Sequence, residues 1–125
     1  EGNDVTIAAT GHLVRESIEA AKILNETGIS AEVINIHTIK PLDERIILES
    51  VKKTRCIVSA EEHNFLGGLG ESISRILSQN LPLPQEFVST QDTFGESGTP
   101  AELMEKYGLN ANSIVEKVKK LISRK

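Results

Sequence analysis

The segment "EEHNFLGGLGES" (residues 61–72) contains the residue types that most often do chemistry in enzymes. Within it, Glu62 directly precedes His63, a side chain that titrates near neutral pH and that a carboxylate can orient. The pair could therefore act as a general acid and base. The alternative is structural, with both side chains satisfying exposed backbone groups or contacting a partner chain. We favour the structural role, because adjacent polar residues in one loop do not by themselves define a catalytic site.

Three glycines in the same segment lie at the start of a predicted helix: Gly67, Gly68 and Gly70. Backbone N–H groups at a helix start can bind an anion such as phosphate. However, a dinucleotide-binding motif that began at Gly68 would need glycine or alanine where Ile73 stands, and no lysine of a phosphate-binding loop follows. We therefore expect these glycines to allow positive φ angles, or a close approach of the helix to a strand or a second subunit.

The histidines of the chain do not form a metal-binding pattern. The three of them, His12, His37 and His63, lie at or just after the ends of three different predicted strands. Zinc motifs instead place their ligands at short, regular spacings. We therefore predict no metal site in this chain.

Size, charge and composition argue against several classes of function. A chain of 125 residues is long enough for one domain with its own core. Its net charge of −4 and its lack of tryptophan argue against nucleic-acid binding, which usually requires a basic face and often uses stacking aromatic side chains. The single cysteine, Cys56, cannot form an internal disulfide and suits a reducing cytoplasm. No apolar run approaches the roughly 20 residues that span a bilayer, so we expect no membrane partner.

Short β-branched runs alternate along the chain with amphipathic segments. The predicted strands are residues 4–10, 31–37, 55–62 and 86–90. A segment with apolar residues at helical spacing follows each of the first three strands. In the first of these helices the predicted apolar stripe is Val14, Ile18, Ala21 and Leu24. A capping box at "TPAE" predicts another helix at "TPAELMEKYGL", and a final helix closes the chain.

Strands that alternate with helices favour right-handed parallel crossovers. We therefore predict an α/β fold, a three-layer α/β/α sandwich around a parallel sheet of about four strands. The carboxyl ends of parallel strands emerge at one edge, where ligands of open α/β sheets bind. Because His12, Glu62 and His63 all follow predicted strands, we expect them at that edge. Periodicity alone leaves the order of the strands open.

Five motifs, in order along the chain, resemble the C-terminal domain of the transketolase family. They are "DVTIAATG", "TIKPLD", "EEHNFLGGLGES", "DTFGESGTPAELMEKYGL" and "IVEKVKKLI", and together they cover nearly the whole chain. No single motif is specific, but the combination of "KPLD", a Glu-His pair before a Gly-Gly-x-Gly helix start, and "ELMEKYGL" is. Related thiamine enzymes, including deoxyxylulose-phosphate synthase, carry a similar domain.

The resemblance implies the strand order 2-1-3-4, with the reversal between the first and third strands, where His12 and the Glu62-His63 pair would meet. It also implies that thiamine diphosphate and a divalent metal, Mg or Ca, are held between two preceding domains of a homodimer and not in this domain. The family fold has an antiparallel edge strand that begins before the motif "DVTIAATG". We therefore expect residues 1–125 to be a single domain of a longer chain, or of a transketolase split into two chains.

The function implied by the resemblance is that of a non-catalytic assembly domain, inactive when isolated. Its parent would be a cytoplasmic enzyme of pentose phosphate metabolism that transfers a two-carbon ketol unit between sugar phosphates. Its partners would be the other transketolase domains or an N-terminal section, and a second copy in a homodimer. No catalytic residue of the family is placed on this chain. The candidate contact or ligand surface comprises His12, Glu62, His63, Gly67, Gly68 and Gly70.

Two other interpretations stay open. The first is a small-ligand or regulatory module that binds at the strand-end crevice with the free amides of "GGLGE". The second is the equivalent domain of deoxyxylulose-phosphate synthase, because substrate choice is made in domains outside this sequence.

Overall fold

A computed structural model describes residues 2–10, 13–36, 44–61, 69–89 and 111–124. These residues form a four-stranded, fully parallel sheet in the order β2-β1-β3-β4, which confirms both the predicted α/β class and the predicted strand order. The strands are β1 (Val5–Ala9), β2 (Ala31–Asn35), β3 (Ile57–Glu61) and β4 (Gln85–Ser89). The helices are α1 (Leu13–Glu26), α2 (Glu44–Thr54), α3 (Leu69–Asn80) and α4 (Ala111–Ser123). The helix predicted at "TPAELMEKYGL" lies outside the described residues.

The core consists of two apolar layers, one on each face of the sheet. Strand β1 lies between two neighbouring strands and all five of its residues are buried. Its Val5 and Ile7 pack with α1 and α4 on one face, whereas Ala8 packs with α2 and α3 on the other. Full burial of an aliphatic side chain of this size contributes about 1.5–3 kcal/mol, so the two layers supply the main driving force for folding.

Helix α1 buries a different face from the one that its periodicity predicts. The predicted stripe includes Ile18, yet 47% of Ile18 is exposed. The buried residues of α1 are Leu13, Ser17, Ala20 and Leu24. Small residues let the helix lie close to the sheet, and periodicity does not mark them because they are weakly apolar. For α3, in contrast, the apolar residues at helical spacing are buried: Leu69, Ile73, Ile76 and Leu77.

Two left-handed residues end the first two helices. After α1, Gly28 has a φ of 86°, its N–H bonds the carbonyl of Asn25, and the N–H of Ile29 bonds the carbonyl of Leu24. This bonding pattern is the Schellman motif, in which glycine commonly supplies the left-handed residue after the helix. After α2, Arg55 has a φ of 68° and its N–H bonds the carbonyl of Val51 at 2.8 Å.

Strand β2 is less buried than its sequence predicts. The run Val33-Ile34-Asn35-Ile36 favours a strand covered on both faces, but most of β2 is only partly buried. The reason is its position in the sheet, since among the described strands it pairs with β1 alone. Bonds to β1 are made by the carbonyl of Ser30 and the N–H of Ile36, so by alternation the backbone groups of Val33 and Asn35 point away from the sheet.

Candidate functional site

The carboxyl ends of the four strands meet at one edge of the sheet, as predicted. The register sets Ala9 of β1 level with Asn35 of β2 and Ala60 of β3, and Glu61 of β3 level with Ser89 of β4. Helix α1, which follows β1, packs on one face of the sheet, and α3, which follows β3, packs on the other. The chain therefore reverses between β1 and β3, and ligands of such sheets bind at this kind of reversal.

Only one of the predicted surface residues falls within the described part of the chain. Five residues lie outside it: His12, Glu62, His63, Gly67 and Gly68. Their grouping at the sheet edge and their roles stay predictions. The sixth residue, Gly70, is buried in the first turn of α3.

At Gly70, α3 lies close to the side chains of β3 and β4. A Cβ atom at this position would lie 2.5 Å from Cδ2 of Phe87 and 3.1 Å from Oγ of Ser59. The carbonyl of Gly70 also accepts a hydrogen bond of 3.0 Å from Nε2 of Gln85, which in turn contacts Oγ of Ser59 at 3.2 Å. A side chain at this position would force the Phe87 ring to shift, and a close approach of helix to strand is one of the two roles expected for these glycines.

A groove that the sequence did not predict runs between β2 and α2. It has a volume of about 570 Å³ and is open to solvent. Its lining residues are Glu32, Val33, Ile34, Asn35, Ile46, Glu49, Ser50 and Lys53. The one signal for it in the sequence is Glu32, a charged residue at the start of an otherwise apolar strand.

Polar side chains join β2, α2 and β1 beneath this groove. Glu32 accepts hydrogen bonds from Oγ of Ser50 and, at 3.0 Å, from Nζ of Lys53. Oγ1 of Thr6 lies 2.6 Å from Oγ of Ser50 and 2.7 Å from Oγ1 of Thr54. Burial raises the pKa of Glu32, but the hydrogen bonds from Ser50 and Lys53 and the positive charge of Lys53 outweigh burial, so the pKa lies below its ordinary value.

This lowered pKa predicts a pH-dependent contribution to stability. A carboxyl group whose pKa is lower in the folded protein stabilises the fold above its unfolded pKa and loses that contribution as the pH falls. We expect Glu32→Gln to lower the free energy of unfolding at neutral pH. The difference from the unmodified protein should shrink as the pH falls below about 4.3, the ordinary pKa of glutamate, and continue to shrink through the folded-state pKa. Urea unfolding at a series of pH values measures this difference.

Glu49→Gln is the matched control for this prediction. Glu49 lines the same groove, but its side chain is 72% exposed and its ion pair with Arg45 is long, at 3.9 Å. Exposed ion pairs of this kind contribute little to stability. A difference for Glu32→Gln that stays constant from pH 7 to pH 3 would contradict the prediction.

Helix α4 is held at both ends by carboxylates from other elements. At its start, Oε1 of Glu16 accepts a hydrogen bond of 3.0 Å from the N–H of Ala111, which suits the positive end of the helix dipole. Near its end, the side chain of Glu86, only 11% exposed, meets three cations. They are Lys117 at 3.7 Å, Lys120 at 4.0 Å and Arg124, which donates a hydrogen bond to Oε2.

The described residues contain neither a metal-binding cluster nor a membrane-spanning helix. Within those ranges, no group of three or more histidine, cysteine, aspartate or glutamate side chains could hold a metal ion. No helix in the same part of the chain is long and apolar enough to cross a membrane.

Comparison with known proteins gives consistent matches. The family model described as "Transketolase, C-terminal domain" matches residues 1–114. A 6-deoxy-6-sulfo-D-fructose transketolase subunit from Clostridium sp. (strain MSTE9) is 46% identical over 125 residues, which are all of this chain and 39% of that protein. A 1-deoxy-D-xylulose-5-phosphate synthase from Synechococcus sp. (strain JA-2-3B'a(2-13)) is 37% identical over 119 residues, 94% of this chain and 18% of the synthase.

A solved structure matches the fold as well as the sequence. It is described as "Split gene transketolase, inactive beta4 tetramer" and is 44% identical to this chain, with a TM-score of 0.92. The match covers 98% of this chain and 40% of the solved one. The chain thus spans about two-fifths of the transketolase subunit and of the solved chain.

Proposed function

We propose that this chain is the non-catalytic C-terminal part of an enzyme that transfers a two-carbon ketol unit between sugar phosphates. The chain belongs to the transketolase C-terminal domain family. In this role the domain supports assembly with the rest of the enzyme and with a second copy. The parent enzyme would belong to pentose phosphate metabolism in the cytoplasm.

The observation that carries this proposal is that three carboxylates of the domain bond to other elements of the same fold. Glu32 is engaged with Ser50 and Lys53, Glu16 with the start of α4, and Glu86 with three cations of α4. Each of these groups holds two elements together. An acid or base in catalysis must instead face a substrate, so these three carboxylates support a structural role.

The described residues do not fit a thiamine diphosphate and metal site. A diphosphate-bound metal needs oxygen ligands grouped in one place, and no such group occurs within the described ranges. We therefore assign no step of ketol transfer to these residues. The cofactor and its metal would be held by the part of the enzyme outside this chain.

The outer edge of β2, which pairs with no other described strand, is the proposed point of attachment for that other part. The backbone groups of Val33 and Asn35 point away from β1, and Ile46, which is 45% exposed, lies beside them in the groove. Edges of this kind readily accept a further strand. We therefore propose that residues 1–125 are one domain of a longer or split enzyme whose remainder adds a strand here.

The test is ketol transfer by the parent enzyme with and without the region from Asp4 onward, over a range of protein concentrations that spans assembly. We expect activity to be lost without this region and to return in part at high concentration, because the lost function is assembly. Loss of activity at every concentration with the dimer intact would contradict the proposal. It would make Glu62 and His63 candidate catalytic residues again.

The same assay decides between the two substrate classes suggested by the relatives. One relative is a transketolase subunit named for 6-deoxy-6-sulfo-D-fructose and the other is a 1-deoxy-D-xylulose-5-phosphate synthase. We expect two-carbon transfer from a phosphorylated or sulfonated ketose, because the higher identity is to the transketolase subunit. Formation of 1-deoxy-D-xylulose 5-phosphate instead would assign the domain to a synthase.

The isolated domain provides a second comparison. The solved relative is described as an inactive tetramer of its beta chain, and we infer by analogy that this chain alone neither binds thiamine diphosphate nor transfers a ketol group, yet associates with itself. Micromolar binding of phosphate or a sugar phosphate that Gly68→Val abolishes would instead favour a ligand-binding module.

A further inference from the structure

The edge of the sheet opposite β2 carries an exposed aromatic side chain that the proposed function does not use. Strand β4 pairs with β3 alone among the described strands. Its central residue, Phe87, is 44% exposed and is one of the few large exposed apolar side chains in the described part of the chain. The unpaired N–H and C=O groups of an edge strand form a surface with which another chain can pair.

The hydrogen bonds to β3 show which backbone groups of β4 face outward. The N–H of Ile57 bonds the carbonyl of Pro84 at 3.2 Å, and Ile57 is level with Gln85. In a parallel pair, a residue such as Ile57 bonds to the two residues that flank its level partner on the neighbouring strand. Therefore Pro84 and Glu86 point toward β3, and Gln85 and Phe87 direct their N–H and C=O groups away from the sheet.

The Phe87 ring packs on α3 of its own chain. Its Cδ2 and Cε2 atoms lie directly over Gly70, where no Cβ occupies the space. Natural edge strands commonly discourage pairing by means of lysine, proline or a bulge. The sequence of β4, "QEFVS", contains neither lysine nor proline, and its register with β3 is continuous.

We propose that β4 pairs antiparallel with β4 of a second copy of this chain, about a two-fold axis that passes beside Phe87. In this register Phe87 faces the same residue of the other copy, and the two residues exchange their outward N–H···O=C bonds. The two aromatic rings then form a cross-strand pair on one face of a continuous sheet. The inference names a surface for the proposed self-association and rests on it.

The charges of β4 are compatible with this register. A two-fold axis beside Phe87 sets Glu86 of one copy opposite Val88 of the other, so the two carboxylates do not face each other. Each Glu86 already meets three cations of its own chain, Lys117, Lys120 and Arg124, which leave that cluster with a net positive charge. Pairing in this register sets no two charged side chains of β4 directly opposite each other.

The two-fold axis gives a direct test with two variants of the full-length protein that carries this chain, Phe87→Lys and Phe87→Glu. Each variant alone would set like charges against each other, and we expect its self-association to weaken by at least about tenfold, which corresponds to about 1.4 kcal/mol. A mixture of the two sets opposite charges together, and we expect mixed pairs at near the original affinity. Sedimentation velocity over a range of concentrations and native mass spectrometry of the mixture measure both effects.

Two controls separate pairing from folding. Ile18→Lys introduces the same charge at a residue of similar exposure, 47%, on α1, and should leave association unchanged. Phe87→Leu keeps an apolar side chain over Gly70 and should reduce association less than Phe87→Lys. Thermal unfolding of each variant shows whether it is folded at the assay temperature. The mixing result cannot come from a repaired fold, because both variants lack the ring.

The inference is overturned if Phe87→Lys associates as strongly as the unmodified protein, if the mixture forms no more mixed pairs than the single variants form pairs, or if the protein is monomeric throughout. Ketol transfer by the assembled enzyme is measured on the same samples. Intact transfer with unchanged association in Phe87→Lys would reject this surface and leave the proposed function standing. Restored pairing without any ketol transfer would support this surface and contradict the proposed function.

Discussion

Gly70→Ala is expected to destabilise the domain by about 1–2 kcal/mol, although alanine is the better helix former by about 1 kcal/mol. The added Cβ would lie 2.5 Å from the Phe87 ring, closer than such atoms can approach, and 3.1 Å from Oγ of Ser59, which is a tight contact. Because Phe87 is 44% exposed, its ring can swing outward and relieve part of the clash at the cost of its contact with α3. Chemical denaturation of the two proteins measures the net effect.

The sign of the effect should change when the ring is removed. In a Phe87→Ala background we expect Gly70→Ala to be neutral or to stabilise the protein by up to about 1 kcal/mol, since only helix propensity remains. The double-mutant cycle should thus give a coupling of roughly 1–3 kcal/mol between the two positions. Ser74→Ala, at an exposed position of the same helix, is the control for propensity alone. A coupling near zero would show that the close approach of α3 does not depend on glycine.

The second large effect is expected at Glu86. Glu86→Ala leaves three cations without their shared carboxylate, and we expect a loss of about 2 kcal/mol, typical of hydrogen bonds to charged groups. The loss should be smaller than for a fully buried ion pair, because Lys117, Lys120 and Arg124 are all about half exposed and can turn toward water. Glu86→Gln retains an acceptor for Arg124 and should cost less.

Hydrogen exchange locates this effect as well as measuring it. We expect faster exchange in the last turns of α4 in Glu86→Ala, because these turns carry the cations that Glu86 holds. Glu116→Ala removes an exposed carboxylate from the same helix and serves as the matched control. If Glu86→Ala is no less stable than Glu116→Ala, the three ion pairs contribute nothing to the docking of α4.

Both predictions bear on the proposed assembly role. Gly70 sets the position of α3 at its first turn, directly after residues 62–68, and Glu86 holds α4 against β4. In a parallel α/β sheet the first turns of the helices lie at the carboxyl edge of the strands. Stability at these two positions therefore determines how firmly the elements beside the predicted contact surface are held.

Much of the architecture follows from local patterns. The alternation of β-branched runs with amphipathic segments predicts the α/β class, and the apolar face of α3 follows from Leu69, Ile73 and Ile76. The stop at Gly28 follows from the conformational freedom of glycine. The strand order 2-1-3-4 was implied by resemblance to the transketolase family, and the sheet confirms it. Periodicity alone does not contain this information, because it says nothing of which strands are neighbours.

Other features required the folded chain. The buried face of α1 is built from Ser17 and Ala20, whose small size matters only once the helix lies against the sheet. The partial burial of β2 depends on its place at an edge, and the requirement for glycine at position 70 depends on Phe87. None of these properties is visible from the residues themselves.

The sequence by itself determined the elements, most of their ends and the types of residue available at the sheet edge, because helix and strand preferences act between residues a few positions apart. Only the tertiary structure decided which charged groups meet, since Lys53 and Glu32 are 21 residues apart, Arg124 and Glu86 are 38 apart, and Glu16 and the start of α4 are 95 apart. Such pairs are formed by the register of the parallel strands and by the face on which each helix packs. The register and the packing faces are set when the helices pack on the two faces of the sheet, and no local sequence pattern encodes them.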